Sequence, residues 1–289
     1  MKNRVVITGM GVISPVGNDV NTFWSNLCDG VCGIDYIKSF PTDNLPVGIA
    51  GIIKDFKAEE YGMDKPFIRK QDLFTQYGVA AAYQAMRQSG LSSKGEDKNI
   101  DPFRLGVYFG SGIGGFATQY REISKMIEDP SGQWISPLFI PTMISNIAAG
   151  HIAILHNAQG PCLDIVTACA TSTNAMGEAF RAIRNGYADA IITGGCENAT
   201  IPIGIVGFAN AKALSRATDP NYASLPFNGN RAGFVMADGS AALVLEEYEH
   251  AKARGAQIIG EMVGYGNTCD AYHSTAPRPD GTTQAKCIE

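Results

Sequence analysis

The stretch that most constrains this chain is an apolar, β-branched run that ends in small residues around a single cysteine, at residues 161–173. A helical pattern follows at once and continues to about residue 185, where Gly186 ends it. A strand that turns directly into a helix places Cys169 at the positive end of that helix. Free backbone N–H groups and the helix dipole favour a thiolate at such a place. The pattern therefore predicts a strand-to-helix turn that carries a reactive thiol.

A second apolar run follows this helix and completes a β-α-β unit, which predicts parallel strands in an α/β fold with helices layered around a mixed sheet. That second strand is predicted at residues 188–193. The remaining predicted elements are strands at 5–8 (closed by Gly9), 105–109 and 258–264, helices ending at 27 and spanning 72–89, 116–127 and 246–254, a buried helix within 135–155, and a hairpin that joins 232–237 to 241–245 through Asp238-Gly239.

Composition narrows the possible functions. The chain has 289 residues, of which 45% are hydrophobic and 18% charged, as is typical of a compact globular protein. A net charge of −5 without a basic run argues against nucleic-acid binding, and no apolar run is long enough for a membrane helix. The seven cysteines are odd in number and lack a CxxC pair, and the four histidines lack ligand spacing. We expect a cytoplasmic protein with reduced thiols, no metal and no other cofactor.

Two other features are weaker candidates for a functional site. Residues 110–115, Gly-Ser-Gly-Ile-Gly-Gly, fit the GxGxxG pattern of dinucleotide-binding turns. No predicted strand ending in an acidic residue follows about 20 residues later, so a tightly packed turn is the preferred interpretation. Asp164 and Glu197 flank predicted core strands, but their spacing does not indicate an acid/base pair.

Cys169 has two interpretations, a nucleophile or a buried structural thiol. Its small neighbours Ala168 and Ala170 favour an exposed nucleophile. A nucleophilic cysteine normally has a histidine as its base, yet no motif singles out one of the histidines. His250 lies in a charged helix and is expected to be solvated. The histidines of the chain are His151, His156, His250 and His273.

Taken together, several short motifs resemble the β-ketoacyl-acyl carrier protein synthases of fatty acid synthesis, which are thiolase-like condensing enzymes. The sequence Asp270-Ala271-Tyr272-His273 resembles the type II branch in particular. The other motifs lie at residues 5–11, 110–115, 167–169, 207–208, 213–215, 233–235 and 245–251, so that the resemblance covers essentially the whole chain.

The resemblance implies a thiolase-like fold with layers α-β-α-β-α, mixed sheets and a homodimer. It implies that Cys169 accepts an acyl chain from acyl carrier protein as a thioester, and that a carbanion from malonyl-acyl carrier protein then attacks this thioester. The Cys169 backbone N–H would contribute to the oxyanion hole. Ile113, Ala168 and Phe208 would line the acyl pocket, and Phe139 would reach the pocket of the partner subunit. The basic residues implied to meet the acidic carrier protein are Arg69, Lys70 and Lys212.

The resemblance also defines what the 289 residues do not contain. The family's two catalytic histidines, a lysine and a gating loop lie beyond the last motif found here, and no His-Gly-Thr sequence occurs. We therefore expect residues 1–255 to form the nucleophile-bearing half and residues 256–289 to begin an incomplete C-terminal half, inactive alone in full condensation. Two alternatives remain open: a non-catalytic chain-length or scaffold partner, and a ketosynthase of polyketide assembly.

Overall fold

The computed structural model describes residues 2–289 as a mixed sheet with helices on both faces, as the sequence predicts. The strands are β1 (Val5–Ile13), β2 (Ile34–Tyr36), β3 (Ile49–Gly51), β4 (Leu105–Gly110), β5 (Cys162–Leu163), β6 (Ala190–Glu197), β7 (Gly239–Glu247) and β8 (Gly260–Met262). The helices are α1 (Val20–Cys28), α2 (Lys65–Lys70), α3 (Leu73–Ser89), α4 (Phe116–Glu128), α5 (Phe139–Met143), α6 (Ile147–His156), α7 (Thr171–Arg184), α8 (Pro202–Asn210), α9 (Tyr248–Ala253) and α10 (Thr282–Ile288).

Six strands form the main sheet in the order β5-β4-β6-β7-β1-β8. β4 runs parallel to both β5 and β6, while the remaining neighbours are antiparallel. The predicted β-α-β unit is therefore confirmed, with β4 inserted between its two strands. Because β5, β4 and β6 are parallel, their carboxyl ends meet at one edge of the sheet.

Helix α3 and helix α6 cover one face of the sheet, and α7 covers the other. The contact of α3 with β1 explains why β1 does not end at Gly9 as predicted. A Cβ atom at Gly9 would lie 2.0 Å from the carbonyl oxygen of Ala85, and one at Gly11 would lie 2.0 Å from that of Ala81. These glycines allow the helix to approach the strand backbone, and β1 continues through them to Ile13.

The hairpin prediction at Asp238-Gly239 is wrong. β7 begins at Gly239 and is a central strand between β6 and β1, and residues 232–237 form no strand. The Asp238 side chain is buried and accepts hydrogen bonds from the backbone amides of Ala199 and Thr200, each at 3.0 Å, and from Asn198 Nδ2 at 2.9 Å. Asp238 thus anchors the loop that follows β6. The Asp238-Gly239 pair matches a turn pattern in the sequence, but the carboxylate makes long-range contacts instead.

Helix boundaries agree with the sequence where a capping residue sets them. Asp19 caps α1 through the amides of Asn21 and Thr22, and Asp72 caps α3. Gly90 ends α3 in the left-handed conformation, with φ of 66°. The predicted buried helix within 135–155 is instead two helices, α5 and α6.

His250 is half-buried, which corrects the expectation that it is solvated. Its Nδ1 donates to Glu246 Oε1 at 2.6 Å, and Arg254 holds both Glu246 oxygens at 2.7 Å. The Thr8 hydroxyl donates to Glu246 Oε2 at 2.8 Å. Burial opposes ionisation of Glu246, but these donors outweigh it and lower the pKa of that carboxyl. The network fastens β1, β7 and α9 together.

One finding bears on membrane insertion. Among residues 2–289, the structure contains no helix with the length and apolar character needed to cross a bilayer.

Candidate active site

Cys169 lies on a strand-to-helix turn, as the sequence predicts. Regular strand structure ends at Leu163, residues 168–170 form one turn of 3₁₀ helix, and α7 begins at Thr171. The Thr171 hydroxyl accepts a hydrogen bond from the Thr167 amide at 2.9 Å and so fastens the two ends of the turn together. Ala168 has a φ of 50°, a left-handed conformation that costs a non-glycine residue free energy. The strained turn presents Cys169 with its side chain exposed.

The glycine-rich residues 110–115 pack directly against this turn. A Cβ atom at Gly110 would lie 2.3 Å from the carbonyl oxygen of Ile165 and 2.4 Å from Thr171 Cγ2. A Cβ atom at Gly195, on neighbouring β6, would lie 2.9 Å from Ser172 Cβ. The GxGxxG pattern therefore serves close backbone packing beside the cysteine, which is the interpretation preferred from the sequence.

A cavity of about 700 Å³ opens beside Cys169. Three residues predicted for the acyl pocket, Ile113, Ala168 and Phe208, lie in its lining together with Cys169. The ring of Phe208 meets that of Phe234 edge-on, with centroids 5.6 Å apart. Sequence reasoning missed Phe234, Val235 and Met236, which also line this cavity. Because most of its wall is apolar, the cavity suits a hydrocarbon chain better than a charged ligand.

The other predicted site residues lie elsewhere. Phe139 lines a separate cavity of about 310 Å³ between α2, α4 and α5, together with Arg69 and Lys70. Lys212 is exposed just beyond the end of α8. The structure thus brings Arg69, Lys70 and Phe139 together, and it places all three outside the cavity of Cys169.

Two carboxylates line the cavity of Cys169, Glu197 and Asp238, and a third, Asp164, follows the strand that leads to the cysteine turn; no sequence spacing had singled them out. Asp164 follows β5, Glu197 ends β6, and Asp238 precedes β7. Burial raises the pKa of each of these carboxyl groups. Across residues 2–289 none of the three forms an ion pair. The rule that the carboxyl ends of parallel strands converge could have brought Asp164 and Glu197 together, had the strand order been known.

The histidines lie away from this cavity. None of the four contributes to its lining. His151 packs edge-on against the ring of Phe67, with centroids 4.9 Å apart. Burial lowers the pKa of His156, also on α6, to about 4.

Comparison with known proteins gives consistent matches. The family described as β-ketoacyl synthase, N-terminal domain, matches residues 2–251. The chain is 46% identical over 289 residues to 3-oxoacyl-[acyl-carrier-protein] synthase 2 of Vibrio cholerae serotype O1, a match that covers 100% of this chain and 68% of that protein. It is 45% identical over 286 residues to the protein of the same name from Staphylococcus aureus, with 99% and 68% coverage.

Solved structures give the same result for the fold. A type II polyketide ketosynthase, solved with its acyl carrier protein and bound to a hexaketide, matches with a TM-score of 0.88 and 31% identity, over 100% of this chain and 68% of that one. A β-ketoacyl synthase from Burkholderia phymatum matches with a TM-score of 0.86 and 29% identity, over 99% and 69%. The ketosynthase fold, of the thiolase-like class, is therefore shown for this chain.

Proposed function

The chain belongs to the β-ketoacyl synthase family, and from that premise we propose that it is a 3-oxoacyl-[acyl-carrier-protein] synthase with Cys169 as its nucleophile. The observation that carries the proposal is the exposed Cys169 on a strained turn beside an apolar cavity. A thiol in this position is open to an incoming thioester, and the cavity offers room for the acyl chain that the thiol would receive. The names of the similar proteins, at 45–46% identity, agree with this chemistry.

The first step is a transfer between two thiols. The Cys169 thiolate attacks the carbonyl carbon of an acyl thioester, the carbon–sulfur bond of the donor breaks, and the donor leaves as a thiolate that takes a proton from solvent. The backbone N–H of Cys169, in the 3₁₀ turn that precedes α7, supplies a donor for the tetrahedral oxyanion. Ile113, Ala168 and Phe208 hold the acyl chain in the cavity.

The second step forms the new carbon–carbon bond. A malonyl thioester loses CO₂, and the electron pair of the broken bond becomes a carbanion. The carbanion attacks the acyl carbon on Cys169, and the cysteine leaves as a thiolate while the 3-oxoacyl product remains on its carrier. In this step Cys169 holds the acyl group, and its sulfur receives the electron pair of the thioester bond that breaks.

The partner of the proposed enzyme is acyl carrier protein, loaded with an acyl or a malonyl group. One solved relative is a ketosynthase in complex with its acyl carrier protein. In this chain Arg69, Lys70 and Lys212 are exposed cations without an ion-pair partner among residues 2–289, and they are available to an acidic protein surface.

The proposal includes the organisation of the chain and its location. We place the boundary between the two halves at residue 255, which the family match ending at residue 251 supports. Residues 256–289 keep contact with the first half, since β8 pairs with β1.

A homodimer is supported by exposed apolar side chains, such as Leu163 on the edge strand β5 and Ile154 on α6. The seven unpaired thiols support a cytoplasmic location.

Acyl transfer to Cys169 tests the proposal directly. The chain is incubated with octanoyl- and palmitoyl-acyl carrier protein, and the acylated residue is located by mass spectrometry. We expect one acyl group on Cys169, none on the Cys169→Ala variant, and normal transfer to Cys162→Ala, which removes another exposed thiol. Equal acylation of Cys162 and Cys169 would contradict the assignment. Failure of Cys169 to react with any thiol reagent while other thiols do would favour a scaffold protein, and transfer from polyketide-type donors alone would favour a polyketide ketosynthase.

A further inference from the structure

Glu197 connects the glycine-rich turn to the end of the neighbouring strand. Its Oε1 accepts a hydrogen bond from the Ser111 hydroxyl at 3.0 Å, and its Oε2 accepts one from the Gly112 amide at 2.8 Å. One side chain therefore holds two consecutive residues directly after the carboxyl end of β4.

Those residues are the ones that stand between Glu197 and the cysteine turn. A Cβ atom at Gly112 would lie 2.8 Å from Glu197 Oε2 and 3.8 Å from the carbonyl oxygen of Ala168. The carbonyl carbon of Ala168 is bonded to the nitrogen of Cys169. The backbone at Gly112 thus lies between the carboxylate and the strained turn.

Ser111 extends the link within the glycine-rich turn. Its hydroxyl oxygen accepts the Gly114 amide at 2.9 Å while its hydrogen is donated to Glu197. The Ser111 hydroxyl thus closes the turn on itself and fastens it to the Glu197 carboxylate.

We propose that Glu197 is a positioning residue that fixes the Gly112–Ile113 backbone, and with it the Ile113 wall of the cavity, relative to Cys169. Glu197 reaches the reacting sulfur only through this backbone. Glu197 therefore affects the rate at which Cys169 reacts with reagents that carry a long apolar tail. It has much less effect on the rate at which Cys169 reacts with a small reagent. The inference rests on the proposed acyl pocket.

The protonation state of Glu197 decides how many donors it holds. The ionised carboxylate accepts both hydrogen bonds, whereas the protonated acid turns one oxygen into a donor. Burial raises the pKa of Glu197, so this change falls in a milder acidic range than for a solvated carboxyl. The other titratable groups beside it are Asp238, Cys169 and Cys196, and within residues 2–289 none of them forms an ion pair.

The test compares two alkylating probes that react at the same sulfur. Iodoacetamide and N-octyl iodoacetamide are used on the full 289-residue chain, and the rate of Cys169 modification is measured for each by mass spectrometry. The ratio of the octyl rate to the small-probe rate cancels the thiolate fraction of Cys169, because both probes need the same thiolate. It therefore reports the cavity wall alone.

We expect Glu197→Gln to lower this ratio about tenfold, the usual effect of a lost apolar wall contact in a pocket. We also expect the wild-type ratio to fall at acidic pH and that of Glu197→Gln to stay flat. The matched control is Glu246→Gln, an equally conservative change of a buried glutamate on neighbouring β7, which should leave the ratio unchanged. The proposal would be overturned if folded Glu197→Gln protein had the same octyl-to-small-probe rate ratio as the wild type. It would also be overturned if Glu246→Gln lowered the ratio by as much as Glu197→Gln.

Acyl transfer from octanoyl-acyl carrier protein is measured in parallel, so that the two proposals fail separately. Absence of acyl transfer together with the expected probe ratios would contradict the proposed function and leave the positioning role supported. Acyl transfer by both proteins with identical chain-length dependence and identical probe ratios would contradict the positioning role and leave the proposed function supported.

Discussion

Carboxylates at two places around the same sheet behave in opposite ways. Glu246, on β7, is fully buried and is neutralised by Arg254 and His250, and its pKa is lowered. Glu197 and Asp238, beside the cavity, accept only neutral donors, and burial raises the pKa of both. The ion-paired Glu246 joins elements of the fold together. Glu197 and Asp238 hold loops beside Cys169 and place no permanent cation next to it.

The difference has a physical reason. An ion pair inside the sheet costs desolvation energy but gives a rigid connection when its geometry is bidentate, as in Arg254 with Glu246. A backbone amide or a hydroxyl offers a weaker partner, and it leaves the carboxylate able to take up a proton. The comparison teaches that burial alone does not reveal the role of an acidic residue, because its partners decide that role.

The largest effect expected from this comparison is on stability, at Glu246. Glu246→Ala leaves the largely buried Arg254 guanidinium without its partner, which costs about 3 kcal/mol in the free energy of unfolding. Urea denaturation measures it. Replacement of Arg254 by Met in the same chain should recover part of the loss, and a loss below about 1 kcal/mol in Glu246→Ala would show that the pair is not needed for the fold.

A smaller loss is expected at Asp238. Asp238→Ala removes Oδ1, the single oxygen that accepts the buried amides of Ala199 and Thr200, and leaves both amides unsatisfied at a cost of about 1–3 kcal/mol. Hydrogen exchange should show faster exchange of these two amides, with the amides of β1 serving as the internal control. Unchanged protection at residues 199 and 200 would mean that Asp238 does not anchor this loop.

Glu197→Gln should change stability least of the three, by about 1 kcal/mol or less, because the loss of an acceptor is offset by relief from burying a charge. The same urea denaturation measures it. A loss as large as that of Glu246→Ala would place Glu197 with the fold-stabilising carboxylates and remove the distinction drawn between the two groups.

The pH dependence of stability offers the finest test. The raised pKa of Glu197 means that its favourable contribution is complete below the ordinary glutamate pKa and is lost as pH rises through the folded value. The contact with Glu246 raises the pKa of His250, so its contribution is complete below the ordinary histidine pKa and is lost at higher pH. We expect Glu197→Gln to flatten the acidic part of the curve and His250→Gln the part nearer neutrality. A curve that both variants leave unchanged would contradict these assignments.

Much of the local structure follows from the sequence. Asp72 and Gly90 mark the two ends of α3, and the abrupt change from an apolar run to small residues marks the turn at Cys169. Such signals work because a cap, a periodicity or a turn depends on residues that are close neighbours in the chain. The same local reasoning failed at Asp238-Gly239, where the partners of the carboxylate lie some forty residues away in the chain.

The sequence by itself determined the strand-to-helix setting of Cys169 and the family to which the chain belongs. Only the tertiary structure decided that Glu197 holds Ser111 and Gly112 beside Cys169 and that Glu246 is paired with cations while Glu197 is not. The reason is that strand order is a non-local property. Pairing of β4 with both β5 and β6 brings distant carboxylates to one edge of the sheet, and no periodicity within a single segment records that arrangement.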